Sequence, residues 1–351
     1  MMRQMTRRFS HQSLEALTEA LIEEECIKTN AVIQAFKAVD RRHFLPEGCK
    51  DSAYVDSPCK DGKFHQSAPS VYGKALEALE LRRGLSFLNL GSGTGYFSAL
   101  VAQLIGPSAL NVGVERNAEL VEFATRNCYN LGFPQIEFRC GNCFQIDVDR
   151  SMKFDRIYIG AGAPQDARFL FKLLKYDGII VGPFEREEGG PQNLHKARCM
   201  GGKKFAVTEL LPVQFAELVR PARIGAHDAA LCDEQPVVLA GPRWDASRRD
   251  VFPLSFQRMV MFFYWMSRID GSLPNKLPWE VWTKYIISML PFDTFNPVPQ
   301  EHVCAACGAS RPATQCSRCR VVHYCGRSCQ RHHWPSHKAV CEPLVASSAG
   351  H

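Results

Sequence analysis

Eight side chains able to bind a soft metal ion fall close together late in the chain: Cys304, Cys307, Cys316, Cys319, Cys325, Cys329, His337 and Cys341. They form four pairs, with two residues inside each of the first two pairs and three inside each of the last two. A gap of two lets both thiolates of a tight turn face one ion. A gap of three puts a pair at i and i+4, on one face of a helix. Tetrahedral zinc takes four donors of this kind, so eight ligands suit two closed structural sites. Seven of the 15 cysteines lie here, and six of the 11 histidines lie in the last 51 residues, which argues against scattered buried thiols. No signal-peptide core follows Met1, so the cluster reads as metal ligands rather than disulfides.

A second constellation lies in the first third of the chain. The apolar run Leu85–Leu90 ends in Gly91, Ser92, Gly93, Thr94 and Gly95, and an amphipathic stretch begins at Tyr96. Glycines there let the chain turn sharply after a buried strand and let backbone N–H groups approach a ligand. About twenty residues on, a second apolar run ends in Glu115, where a carboxylate can accept both hydroxyls of a ribose. The pattern G-x-G-x-G departs from G-x-G-x-x-G, so a nucleoside cofactor other than a dinucleotide is expected.

The elements that must hold these residues follow from periodicity. Residues 13–45 read as helical, 46–70 as loop, and Tyr72–Leu81 as helix. Strands are expected at Leu85–Leu90, Asn111–Glu115, Ile136–Arg139, Arg156–Ile159 and Gly178–Pro183. Helices are expected at Tyr96–Ile105, Ala118–Leu131 and Ala167–Leu174. Short continuous apolar strands alternating with helices mean a mostly parallel sheet covered on both faces. Phe205–Leu211 and Val213–Val219 read as strand pieces around Pro212, an antiparallel edge. The 351 residues suggest about two domains. A net charge of +6 is too small to argue for nucleic acid by itself, and the last 51 residues, at +4, carry no base-reading helix. The longest aromatic-apolar run, Met259–Met266, is far short of the roughly 20 residues that span a membrane. The acidic run Glu23–Glu25 argues against a mitochondrial leader, and a cytoplasmic place is expected, with the nucleus permitted.

Taken in order, the glycine turn with Glu115, then Val32–Phe44, Tyr54–Pro58, Gln66–Pro69, Phe154–Gly162 and Gly178–Pro183, resemble the protein-L-isoaspartate O-methyltransferases over roughly residues 13–220. The resemblance is nearest to the branch called isoaspartate methyltransferase domain-containing proteins, through Leu85–Tyr96 and Gly141–Cys143. It implies a class I, doubly wound α/β methyltransferase fold and S-adenosyl-L-methionine as cofactor. Gly91, Ser92, Gly93 and Gly95 would back its methionine part, Glu115 would hold the ribose, and Asn142 and Cys143 would flank the adenine. Ser67 would be the catalytic residue, donating a hydrogen bond that orients an acceptor carboxylate. As a serine just before Pro69 it could equally cap the next helix. Two positions depart from the family pattern: Ser70 stands where His follows Ser-Ala-Pro, and Asn142 stands where Asp is usual. An S-adenosylmethionine-binding adaptor that recognises damaged proteins without methylating them is the alternative reading.

The eight-ligand segment, with Tyr324, Gln330 and Trp334, resembles a MYND-type zinc finger. That family interleaves its ligands, so Cys304, Cys307, Cys325 and Cys329 would hold one ion, and Cys316, Cys319, His337 and Cys341 the other. Its partners would be proteins, often through proline-rich peptides. The layout expected is a methyltransferase-like domain at 1–220, a connector and helical insert at 221–295, a linker at 296–303, the finger at 304–341 and a tail at 342–351. The insert is read as ordinary helices packed on the sheet, in preference to a box that recruits a ubiquitin-ligase scaffold. Metal analysis of the purified chain should give two zinc ions per molecule; a ratio well below two would contradict the ligand set.

Overall fold

The computed structural model describes residues 13–185, 192–201, 204–221, 236–241, 254–270, 272, 274–287, 314–317 and 323–338. The expected linker and tail, and Cys304, Cys307, Cys319 and Cys341, lie outside them. Two compact units make up the chain: Met1–Pro242 with Ser247–Val251, and Arg243–Ala246 with Phe252–His351.

The first unit opens with α1 (Leu14–Glu23) and α2 (Asn30–Ala38). Ser13 starts α1 by accepting the Ala16 N–H at 3.2 Å, and Leu17 and Leu21 bury its inner face. The single helical stretch expected over 13–45 is broken between these helices, where Glu25 takes φ 55°. The start of α2 is capped from a distance, because Glu77 Oε1 accepts the N–H groups of Lys28 and Thr29 at 2.7 and 2.8 Å. The segment expected as loop holds a hairpin, β1 (Cys59–Asp61) and β2 (Phe64–Gln66), with Cys59 joined to Cys49 by a disulfide. Next come α3 (Pro69–Leu79), β3 (Phe87–Leu90), α4 (Tyr96–Ile105), β4 (Asn111–Glu115), α5 (Ala118–Asn130), β5 (Ile136–Cys140) and β6 (Phe154–Ile159). A 3-10 segment, Gln165–Leu173, stands where an α-helix was expected. It is followed by β7 (Leu174–Phe184), β8 (Asn193–Cys199) and β9 (Phe205–Pro212).

The seven strands β3–β9 form one sheet in the order β5-β4-β3-β6-β7-β8-β9. The first five pair in parallel and the last two antiparallel. The antiparallel edge is as expected, and Phe205–Leu211 forms it, but its partner strand is not the expected one. Asn193–Cys199, too polar to read as a strand, pairs with both β7 and Phe205–Pro212, whereas Val213–Val219 forms only an isolated bridge at Glu217. Strand alternation feeds two cores. Phe87 and Tyr158 face α1–α4, and Leu88, Leu90, Ile157 and Ile159 face the 3-10 segment. Chain order reverses between β3 and β6, and the crevice beyond the carboxyl ends of those strands is where such sheets bind ligands.

In the second unit, α6 (Leu254–Met266) is followed by α7 (Trp279–Val281), which runs on as a π-turn. Phe263 stacks on Trp282 at 5.6 Å between centroids, and Tyr264 meets Trp279 edge-on at 5.1 Å. A two-stranded ribbon, β10 (Thr314–Gln315) and β11 (His323–Tyr324), leads into α8 (Arg327–His337). Among the described residues no helix is long and apolar enough to cross a membrane.

One ion cluster joins α3 to the antiparallel part of the sheet. Glu80 sits at the end of α3 with φ 49°, a conformation that favours glycine, and its carboxylate meets Lys196 and Arg198 of β8. Burial alone would raise this carboxyl, but the hydrogen bonds and charges of Arg198 and Lys196 outweigh it and hold the pKa at about 2. A depressed carboxyl stabilises the fold fully above its ordinary pKa and loses that contribution as the pH falls through the folded value. Glu80→Gln should therefore cost roughly 1–2 kcal/mol near neutrality. Urea unfolding should show the deficit shrinking between about pH 5 and pH 2, and a pH-independent deficit would contradict the ion cluster.

Candidate active site at the switch point of the sheet

The turn after β3 explains its composition. Gly91 and Gly93 have φ of +73° and +53°, the left-handed region open to glycine, and a side chain on Gly95 would press within 3.2 Å of Phe138, Ala124 and Cys128. The Gly93 N–H donates to Glu115 Oε2 at 2.9 Å, and the Asn117 N–H donates to Oε1 at 3.1 Å. Glu115 is thus fixed against the turn with lone pairs to spare on both oxygens. Cys143 is buried beside Gly91 and Glu115, and burial pushes its thiol up to about 12. Asn142 caps the turn that follows it, accepting the Phe144 N–H at 3.0 Å, and its Nδ2 donates to the Val219 carbonyl at 3.0 Å. Val237, in a segment that sequence alone marks only as connector, packs so close to Gly141 that no Cβ would fit there.

Ser67, Gly91, Ser92 and Gly93 line one pocket together with residues that sequence reasoning passed over: Asn89, Tyr72, Tyr96 and Tyr158. Ser67 does not cap α3. The cap position is Ala68, without a side-chain bond. Tyr72 holds Ser67 instead, its phenol oxygen accepting the Ser67 N–H at 3.1 Å. The only signals for the missed residues were a polar Asn89 inside an apolar strand and tyrosines at strand and helix positions.

Behind Ser67 lies a fully buried cation. Arg41 donates from Nε to Gln66 Oε1 at 2.6 Å, from Nη1 to the carbonyls of Ala53 and Val55, and from Nη2 to those of Ser57 and Ser67. Gln66 Nε2 passes the link on to Thr94 Oγ1, at 3.0 Å, inside the glycine turn. One guanidinium therefore ties the Ser67 loop to the wall of the pocket.

The pocket suits a nucleoside-methionine cofactor. Asn89 Oδ1 and Ser92 Oγ line it, are buried and lack partners, so both are available to a ligand with donors and acceptors. In the finger, the thiolate and imidazole donor set is one that zinc prefers. Cys316 leaves the ribbon at one end and Cys325 at the other, which suits separate ions. The pair expected on one helix face is only half helical, since Cys325 precedes α8 and Cys329 lies in its first turn.

Arg41→Met would orphan the four carbonyls as well as Gln66. Chemical denaturation should show a loss of about 3–5 kcal/mol, with no rescue by Lys, whose single ammonium cannot span five contacts. A loss below about 1 kcal/mol would contradict the structural role of this cation.

The chain resembles known proteins over the same region. The protein-L-isoaspartate(D-aspartate) O-methyltransferase family matches residues 12–222, and the MYND finger matches 304–341. A protein-L-isoaspartate O-methyltransferase from Ignicoccus hospitalis is 35% identical over 58% of this chain and 95% of its own length. One from Methanococcus maripaludis is 32% identical over 57% and 92%. Among solved structures, a protein-L-isoaspartate O-methyltransferase from Plasmodium falciparum, in complex with S-adenosyl-L-homocysteine, shares the fold with a TM-score of 0.53. It is 23% identical, over 60% of this chain and 99% of that one. The chain belongs to the protein-L-isoaspartate(D-aspartate) O-methyltransferase family, as an S-adenosylmethionine-dependent methyltransferase that also carries a zinc-binding MYND finger.

Proposed function

We propose that the enzyme esterifies the free carboxylate of L-isoaspartyl residues in damaged proteins, with Ser67 orienting that carboxylate and the finger engaging protein partners. S-adenosylmethionine, when bound, supplies a methyl group on a cationic sulfonium. A carboxylic acid with a pKa near 4 is already ionised at neutral pH, so its oxygen needs no base. The observation that carries this reading is the lining of the pocket: Ser67 stands beside the glycine turn, and no Asp, Glu, Lys or Arg is among the lining residues. An incoming anion therefore meets no carboxylate on the pocket wall itself. His65 is the one imidazole there, and burial, with Lys60 nearby, lowers its pKa and leaves it neutral at pH 7. Rate would come from alignment and from hydrogen bonds aimed at the acceptor. The names of the relatives agree with this acceptor class. In the finger, Arg327, Gln330, Arg331 and Trp334 line one groove, an aromatic and cationic face of the kind that takes peptides.

The test uses zinc-loaded full-length protein, methyl-labelled donor, and an isoaspartyl peptide beside its ordinary aspartyl twin. Label should appear as a base-labile ester, released as methanol, on the isoaspartyl peptide alone. Ser67→Ala should lower kcat/KM by about 10²-fold while donor affinity holds. Donor binding with no ester on either peptide would sink the proposal and favour the adaptor.

A further inference from the structure

Tyr96 and Tyr158 are each 1% exposed, yet the hydroxyl of neither has a hydrogen-bond partner. Buried polar groups are normally paired, and an orphan carries its full desolvation cost. Packing accounts for the two rings: Tyr158 lies 4.1 Å from Phe97 between centroids, and Tyr96 lies 5.4 Å from Phe44 and 5.7 Å from Tyr72. Packing gives no reason for the two oxygens, since phenylalanine would fill the same space without the cost. Both residues line the pocket that holds Ser67 and the glycine turn. In the register of β3 and β6, Tyr158 stands opposite Asn89, whose Oδ1 is a third orphan. Tyr72 marks the contrast, because its hydroxyl is engaged by Ser67.

The charge around the pocket sets the sign of the missing partner. Arg41 spends its donors on uncharged acceptors, and its guanidinium acts electrostatically on Tyr96 and Tyr72 and, less strongly, on the Asp56 carboxylate, which is not bonded to it. A desolvated cation with no carboxylate bonded to it favours an anion nearby. Burial holds both phenols well above their ordinary range, so they face that anion as neutral donors.

We propose that the Tyr96 and Tyr158 hydroxyls form a carboxylate-binding subsite in this pocket. Two molecules could bring the carboxylate: the acceptor, which rests on the reading of function above, and the methionine end of the donor, which does not. The experiment takes Tyr96→Phe, Tyr158→Phe and the double variant in zinc-loaded full-length protein. It measures the ligand-free melting temperature, the Kd of S-adenosylhomocysteine, and kcat and KM for an isoaspartyl peptide. The ligand-free melting temperature should hold or rise, since an orphan hydroxyl is removed; a fall would mean that the hydroxyls are structural and would overturn the assignment. A Kd weakened about tenfold or more assigns the donor's carboxylate, while an unchanged Kd with KM raised about tenfold assigns the acceptor's. No change in either for the double variant overturns the subsite. If the wild type binds S-adenosylhomocysteine but methylates no peptide, the proposed function fails separately, and the Kd comparison alone decides the subsite.

Discussion

The site depends on a cation that never reaches water. Arg41 gathers the carbonyls of four residues between Ala53 and Ser67 and hands the link through Gln66 to Thr94. Without it, the loop bearing Ser67 keeps only the Tyr72 and Gln66 bonds to hold it against the turn after β3. Burying a guanidinium costs several kcal/mol unless its donors are all met. Here five hydrogen bonds meet them, and no anion is consumed in doing so. The loop is positioned by a cation that bonds no carboxylate, with Asp56 acting on it only through the field, beside a pocket whose proposed acceptor is negative.

The opposite wall follows a different rule. The glycine turn and Glu115 belong to the sheet: β3 and β4 are buried strands, and the carboxylate is held by the turn's own Gly93 N–H and by Asn117. That half is rigid because the sheet is. The half that bears Ser67 is built from short pieces, a hairpin of two three-residue strands and helix ends, and is held by side-chain bonds across the chain: Arg41 to the loop, Glu77 to the start of α2, and Arg198 and Lys196 to Glu80. Two kinds of order, one from strand pairing and one from buried polar bonds, meet along a single pocket.

This division also explains what the sequence could reveal. The sheet-borne residues were legible because their signals are local: apolar runs ending in Gly91 and Glu115 announce strand ends, and Tyr96–Ile105 and Asn111–Glu115 fall where periodicity puts them. The MYND finger was legible because ligand spacing is itself a local code. Arg41 carries no such mark. A basic residue between Asp40 and Arg42 reads as surface until the fold closes over it. Strand β8 was hidden for a related reason, since its His195, Lys196 and Arg198 look like surface residues until the fold brings Glu209, Glu80 and Asp177 beside them. The hairpin at Cys59–Gln66 is too short and polar for alternation to show. The tyrosines of the pocket look like core residues by pattern, and their rings are; only the pairing of their oxygens sets them apart.

The central claim is that the turn at positions 91–95, beside Glu115, holds S-adenosylmethionine. Isothermal calorimetry of the zinc-replete, full-length chain with that compound measures this directly. The account predicts saturable binding of one molecule per chain, weakened when Glu115 is changed to alanine. An absence of binding to folded, metal-loaded protein would contradict it.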